Sequence, residues 1–199
     1  MVRSGGLRDL FDDAPTPHIA HPPRTHHRDY YLATDGSFLA GQGGLGAIAE
    51  TGSGQRLLRL ARVAESADNN AAEYRALRLG LDELAAQAGP DASVGVLVDH
   101  NDLAANVNAM SLGLADADWS ARSISVPRAG AGYWRDIRRH IREFDDLRAA
   151  AIRSDDNPAH VLANAPEDYR HVNAESGGAA SRDWEIPPPS RADRHRASD

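Results

Sequence analysis

Residues 30–37 read Tyr30-Tyr31-Leu32-Ala33-Thr34-Asp35-Gly36-Ser37, an apolar run that breaks at an Asp-Gly-Ser turn signal. A short run of this kind, closed by glycine, reads as a β-strand, here over residues 29–38. The glycines Gly41, Gly43 and Gly44 then mark a turn. Residues 44–50 and 55–63 read as second and third strands, joined by the hairpin signal Thr51-Gly52-Ser53-Gly54. The expectation is an antiparallel meander. Its third strand has the weakest pattern, because Leu57, Leu58, Leu60 and Val63 do not alternate cleanly.

Beyond the meander the period changes. Ala72, Ala76, Leu77, Leu79, Leu81 and Leu84 recur at helical spacing, predicting a helix over 70–88 that Gly89-Pro90 ends. Val94-Gly95-Val96-Leu97-Val98-Asp99 is a buried-strand pattern following a helix, so it is expected to run parallel to the first strand. Helices are predicted over 101–110 and 133–144, a fifth strand over 147–153 and a last short helix over 157–165. Residues 111–131 give no decisive pattern. The order β-β-β-α-β-α-α-β-α predicts an α/β fold: a five-stranded mixed sheet in which the fourth and fifth strands lie parallel to the first, flanked by helices.

Residues 1–28 hold Pro17, Pro22 and Pro23 with His18, His21, His26 and His27, and show no sustained period, which predicts a flexible arm. Residues 166–199, with Pro187-Pro188-Pro189 and a Ser/Asp/Arg-rich end, are expected to be a disordered polar tail. The folded domain is therefore expected over 29–165.

Composition narrows the chemistry. The 199 residues contain no cysteine, which removes disulfides, thiolate metal sites and cysteine catalysis. No stretch of about 18 apolar residues is present, so no membrane span is expected. The N-terminus lacks the apolar run of a signal peptide, and a cytoplasmic address is the expectation. All 22 basic residues are arginine, against 29 acidic ones, for a net charge of −7. A nucleic-acid binder usually carries the opposite balance. A high-salt cytosol reconciles the two, because the Debye length falls to about 3 Å at 1 M salt and long-range repulsion fades. A GC-rich genome is the plainer source of the same bias.

Three carboxylates stand at the ends of elements able to converge: Asp35, Glu73 in Asn69-Asn70-Ala71-Ala72-Glu73, and Asp99. Such a set can hold two hard divalent cations beside a phosphodiester. These motifs, in this order, resemble ribonuclease H of type 1 over residues 29–165. The family's D-G-S segment is matched by Asp35-Gly36-Ser37, its N-N-x-x-E by Asn69 to Glu73, and its strand-final Asp by Asp99, here followed by His100. Its last segment, R-x-x-N-x-x-A-D-x-L-A-N-x-A, is matched by Arg153 to Ala165 with a one-residue difference in spacing, and the family's fourth carboxylate falls on His160.

The resemblance implies an RNase H-like fold. It implies an endonuclease that hydrolyses the RNA strand of RNA–DNA hybrids with two divalent ions, Mg²⁺ or Mn²⁺, leaving 5′-phosphate and 3′-hydroxyl ends. Asp35, Glu73, Asp99 and His160 are the implied catalytic and metal-binding residues; Gly36, Ser37, Asn69 and Asn70 are the implied substrate contacts. Imidazole is a softer, neutral donor than carboxylate. The fourth ligand is thus His160, a water, or a carboxylate of Asp155 or Asp156. With the acid excess, the resemblance points to a halophilic archaeal source. A monomer is the default expectation. The rival reading is a hybrid- or structured-RNA-binding module weakened in turnover by His160. The arginines Arg135, Arg138, Arg139 and Arg142 are read as a solvated helix face before a nucleic-acid groove, and Trp134 and Phe144 as core.

Overall fold

The computed structural model describes residues 6–17, 27–39, 42–116 and 124–174. The sheet is built from β1 (Tyr30–Leu39), β2 (Gln42–Thr51), β3 (Arg56–Glu65), β4 (Ser93–Val98) and β5 (Asp146–Ala151), in the spatial order β3-β2-β1-β4-β5. β1 pairs antiparallel with β2 and β2 with β3, while β1, β4 and β5 run parallel. The five-stranded mixed sheet is the one the sequence predicts. β3 is regular along its length apart from a shift in the β2 register at Ala49/Glu50.

Strand alternation divides the core into two layers. Leu32 of β1, Val94, Val96 and Val98 of β4 and Leu147 and Ala149 of β5 face one side. There α2 (Asn69–Ala85), α3 (Asn101–Ala115) and α4 (Ala131–Glu143) contribute Leu77, Leu81, Leu84, Leu103, Val107, Trp134, Ile137 and Ile141. Trp134 and Phe144 are buried there, as expected of core aromatics. Tyr31, Ala33, Ile48, Leu97 and Ala150 face the other side, under α1 (Leu7–Asp13) and α5 (His160–Asn164).

The helix α1 corrects the expectation of an arm without regular structure over residues 1–28. Leu7 and Phe11, four residues apart, are both buried, and the Phe11 ring meets the Tyr31 ring edge-on at 5.6 Å. Glu50 Oε2 accepts from the Leu7 N–H at 2.9 Å, tying the start of α1 to β2. The histidines His18, His21 and His26 lie outside the described residues.

The tail departs from expectation too, over 166–174. Val172 is fully buried, and the Asn173 side chain bonds both the N–H and the C=O of Ala61 on β3, at 2.8 and 2.9 Å. Residues 175–199 lie outside the described ones. Of the unassigned stretch 111–131, α3 takes up residues to Ala115, and Arg128–Gly130 forms a 3-10 turn leading into α4. The last helix is shorter than predicted, because Ser154–Asp156 forms a 3-10 turn and α5 begins only at His160.

Among the described residues no further strand pairs with the outer edge of β5, and side chains and a loop take up much of its backbone instead. Asn108 on α3 accepts from Ala149 N at 2.7 Å and donates to Ala149 O at 2.8 Å, as a neighbouring strand would. Ser111 Oγ donates to Leu147 O at 2.6 Å, and Pro15 O accepts from Ala151 N at 2.9 Å. An edge occupied in this way is closed to pairing with another chain.

Candidate active site

The parallel register of β1 and β4 sets the geometry. Their last paired position is Ala33–Leu97, and Asp35 and Asp99 each lie two residues further on. Beyond that pair β1 continues only with β2, so a cleft opens beside the end of β4. The chain builds β2 and β3 on one side of β1 and β4 and β5 on the other, so this is where the order of strands reverses. Open α/β sheets bind ligands at such a point.

Asp35 shares the sheet face of Tyr31 and Ala33, toward α5. Gly36 faces the opposite way, against α2. A Cβ on Gly36 would lie 2.2 Å from the carbonyl carbon of Ala72 and 2.5 Å from Glu73 N. Only glycine allows this approach, and it brings Glu73 against β1. Glu73 Oε2 accepts from Gly36 N at 3.3 Å. The start of α2 is fixed by Asp68, whose carboxylate caps Ala71 N at 2.7 Å.

The α5 side uses the same device. Cβ atoms on Gly44 and Gly46 of β2 would meet the carbonyl oxygens of Ala163 and Ala159 at 1.7 and 2.3 Å. The helix α5 therefore lies directly on the backbone of β2. Ser37 Oγ donates to Ala163 O at 2.6 Å and accepts from Gly44 N at 3.1 Å. Asn157, buried, donates to Thr34 O at 2.9 Å and accepts from Ala159 N at 3.0 Å. These contacts place His160 opposite Asp35. Its Nδ1 is 3.4 Å from Asp35 Oδ2, and its Nε2 is 2.7 Å from the Asn164 side-chain amide nitrogen.

Asp35, Asp99 and His160 thus offer three donor atoms all within 4.8 Å of one another. Ser154 Oγ donates to Asp99 Oδ2 and fixes that carboxylate. Asp35 and Glu73 are buried at 2% and 3% exposure, and burial costs their charged forms heavily. Burial, then the Asp99 charge, pushes the Asp35 carboxyl up to about 8. Glu73 is pushed up to about 10 by burial first, then by the charges of Asp99 and Asp35, against which the Gly36 N–H acts weakly. A bound cation would offset the repulsion among carboxyls crowded this way.

Of the residues expected from sequence, Asp35, Glu73, Asp99 and His160 converge. Asn69 and Asn70 stand exposed in the first turn of α2, on the same rim. Gly36 N and Ser37 Oγ are engaged within the fold, with Glu73 and with α5. Ser154 and Asn157 act on the site through side-chain bonds that carry no sequence periodicity; Asn157 was visible only as a motif position. One arginine of the α4 set, Arg139, is drawn into an ion pair that ties α4 to α2. Arg139 pairs with Asp82 and Glu143, and Arg78 of α2 with Asp82 and Asp136.

No model of a protein family matches the sequence, and no curated protein matches it. Solved structures do match. The N-terminal RNase H domain of rv2228c from Mycobacterium tuberculosis, determined as a fusion with maltose binding protein, superposes with a TM-score of 0.52 at 22% identity, over 68% of this chain and 95% of that one. RNase H1 from the halophilic archaeon Halobacterium salinarum NRC-1 gives 0.52 at 21% identity, over 70% and 97%. LC11-RNase H1, in complex with an RNA/DNA hybrid, gives 0.51 at 20% identity, over 68% and 94%. The chain therefore has an RNase H-like fold.

Proposed function

We propose that this protein is a divalent-metal-dependent endonuclease that hydrolyses the RNA strand of RNA–DNA hybrids, leaving 5′-phosphate and 3′-hydroxyl ends. The observation that carries the reading is the convergence of Asp35, Glu73 and Asp99 where β1 and β4 part. Fold likeness to RNase H structures, one of them holding a hybrid, is in keeping with it.

The residues fit a pair of hard cations. Two carboxyls are held above their ordinary range, by burial first and then by the Asp99 charge, and His160 Nδ1 is buried without a hydrogen-bond partner. Asp35, Glu73, Asp99 and His160 would hold two ions, Mg²⁺ or Mn²⁺, and these would supply an activated water and stabilise the departing 3′ oxygen. Asp35 stands centrally between the β4 carboxylate and the α5 imidazole. Glu73 shares α2 with the asparagines at the rim. Asn69 and Asn70 present amides where a minor groove carrying 2′-hydroxyls would pass, the feature that separates RNA from DNA. Gly36 and Ser37 shape the floor of the site by admitting α2 and α5.

No helix among the described residues is long and apolar enough to cross a membrane. We take the protein to act as a cytoplasmic monomer of halophilic archaeal origin. Sedimentation in molar salt tests the oligomeric part, and activity retained or increased at molar NaCl tests the halophilic part.

The deciding experiment is cleavage of an end-labelled RNA–DNA hybrid with Mg²⁺ and with Mn²⁺, at low and molar salt, beside Asp35→Asn. Metal-dependent cutting of the RNA strand that the variant lacks supports the proposal. Binding without cutting under every condition supports the second reading, a hybrid-binding module. That reading is favoured by one observation: the position beside Asp35 holds a neutral imidazole donor in place of a fourth carboxylate.

A further inference from the structure

His100 follows Asp99 and stands outside the acidic cluster, yet its ring is held at three points. Nδ1 accepts from Leu103 N at 3.1 Å, which makes His100 the N-cap of α3. Because Nδ1 receives a hydrogen bond, the ring proton is on Nε2. Nε2 lies 2.9 Å from Asn70 Oδ1, so it donates to that oxygen. The ring edge also meets Tyr74, with centroids 6.2 Å apart at 75°. Tyr74 is fully buried, and its hydroxyl accepts from Asn106 Nδ2 at 2.9 Å.

The consequence falls on Asn70. A free asparagine amide turns either end outward, one end accepting and the other donating. With Oδ1 taken by His100, the exposed Asn70 amide keeps its NH₂ group for an incoming partner. Every base pair offers minor-groove acceptors, purine N3 or pyrimidine O2, whereas the only base donor there is the guanine amino group. An outward NH₂ therefore finds a partner at any sequence. An outward Oδ1 would favour guanine.

We propose that His100 is a positioning residue that locks the Asn70 amide donor-outward, so that the contact with the hybrid's minor groove is indifferent to sequence. The proposal rests on the hybrid-nuclease reading.

The test uses His100→Asn, because asparagine is a good helix N-cap but too short to reach Asn70. His100→Ser, another capping residue, serves as a second variant should the first fold poorly. KM and kcat are measured on hybrids with and without guanine around the cut site, and cut positions are mapped on a long mixed-sequence hybrid. KM should rise about three- to tenfold, the range of one neutral hydrogen bond, with kcat changing far less. Cutting by the variant should become uneven and guanine-dependent, and Asn70→Ala should cost much less in the His100→Asn background than in the wild type. A wild-type protein that cuts hybrids, with variants of unchanged KM and cut pattern, overturns the proposal and leaves the nuclease reading intact. An equal cost of Asn70→Ala in both backgrounds overturns it too. A wild-type protein that neither binds nor cuts hybrids overturns both, and is told apart by the wild-type arm alone.

Discussion

His160 Nδ1 faces Asp35 Oδ2 at 3.4 Å while the Asn164 amide holds the far side of the same ring at 2.7 Å. With Nε2 accepting from that amide, the proton of the neutral ring lies on Nδ1, on the side of the buried carboxyl but not hydrogen-bonded to it. For Nδ1 to bind a cation instead, the proton moves to Nε2 and the exposed Asn164 amide turns to accept it. Partners on the far nitrogen commonly set the tautomer of a ligating histidine in this way.

A first prediction concerns that position. His160→Asp exchanges a neutral donor for a further acid in a cluster that already repels itself. The metal-free variant should melt below the wild type at pH 8 and gain more from added Mg²⁺, since a harder ligand set favours a hard ion. Melting curves in EDTA and across a Mg²⁺ titration read both effects. Identical Mg²⁺ shifts in the two proteins would place position 160 outside the reach of the ion.

The two raised carboxyls give the pH dependence its sign. Asp35 moves from an ordinary 3.8 to about 8 and Glu73 from 4.5 to about 10. In that window the folded protein binds more protons than the unfolded chain, so stability falls as pH rises. Their contribution is complete below about pH 4 and is lost as pH climbs through 8 to 10, with a slope of at most about 1.4 kcal/mol per pH unit for each group. In EDTA, melting temperature should decline from pH 5 to pH 9 more steeply in the wild type than in Asp35→Asn or Glu73→Gln. Saturating Mg²⁺ should flatten the decline. A wild-type profile no steeper than those of the two variants would contradict the prediction.

Much of this site was legible because its three acids stand at element boundaries, where a change of period is visible. Asp35 breaks an apolar run, Asp99 ends one, and Glu73 opens a helix with clear spacing. The strand directions followed from the same runs. The helix α1 was hidden because its seven residues complete barely two turns amid aspartates and prolines, leaving only the Leu7–Phe11 spacing as a signal. Val172 and Asn173 were hidden because one buried residue in a polar stretch has no pattern. Ser154, Asn157 and His100 act through one or two side-chain bonds whose partners follow no sequence period, and only coordinates reveal those bonds.

Asn157 illustrates the second class. Its amide bridges Thr34 O, one residue before Asp35, and Ala159 N, one residue before His160. Asn157→Ala leaves both groups buried without a partner, a loss of about 1–3 kcal/mol for each that goes unsatisfied. Activity should fall along with stability, because both flanks of the site lose a common anchor. Chemical denaturation paired with hybrid cleavage well below the melting point separates the two losses. Asn157→Asp, which keeps the acceptor toward Ala159 but places a carboxylate against the Thr34 carbonyl, should be at least as damaging as alanine. A cleavage rate unchanged in folded Asn157→Ala would show that Asn157 serves stability alone.

Gly36 offers the sharpest separation of packing from chemistry. A methyl group there would stand 2.2–2.5 Å from three backbone atoms of Ala72 and Glu73, none of which is a flexible side-chain end. Gly36→Ala must therefore push the start of α2 away from β1, at about 1–3 kcal/mol or more. Glu73 and Asn70 ride on that turn. The displacement should weaken the Gly36 N–H contact with Glu73 and move its carboxylate away from Asp35 and Asp99. Cleavage should then drop by more than the stability loss explains, and the Glu73 titration should shift back toward its ordinary range. Gly80→Ala, which presses α2 against the Leu32 and Thr34 side chains further back along the same sheet face, is the matched control. It should destabilise without that shift. Equal effects of the two substitutions on the Glu73 titration, read by ¹³C-detected NMR of the carboxyl, would show that the approach at Gly36 has no special hold on the site.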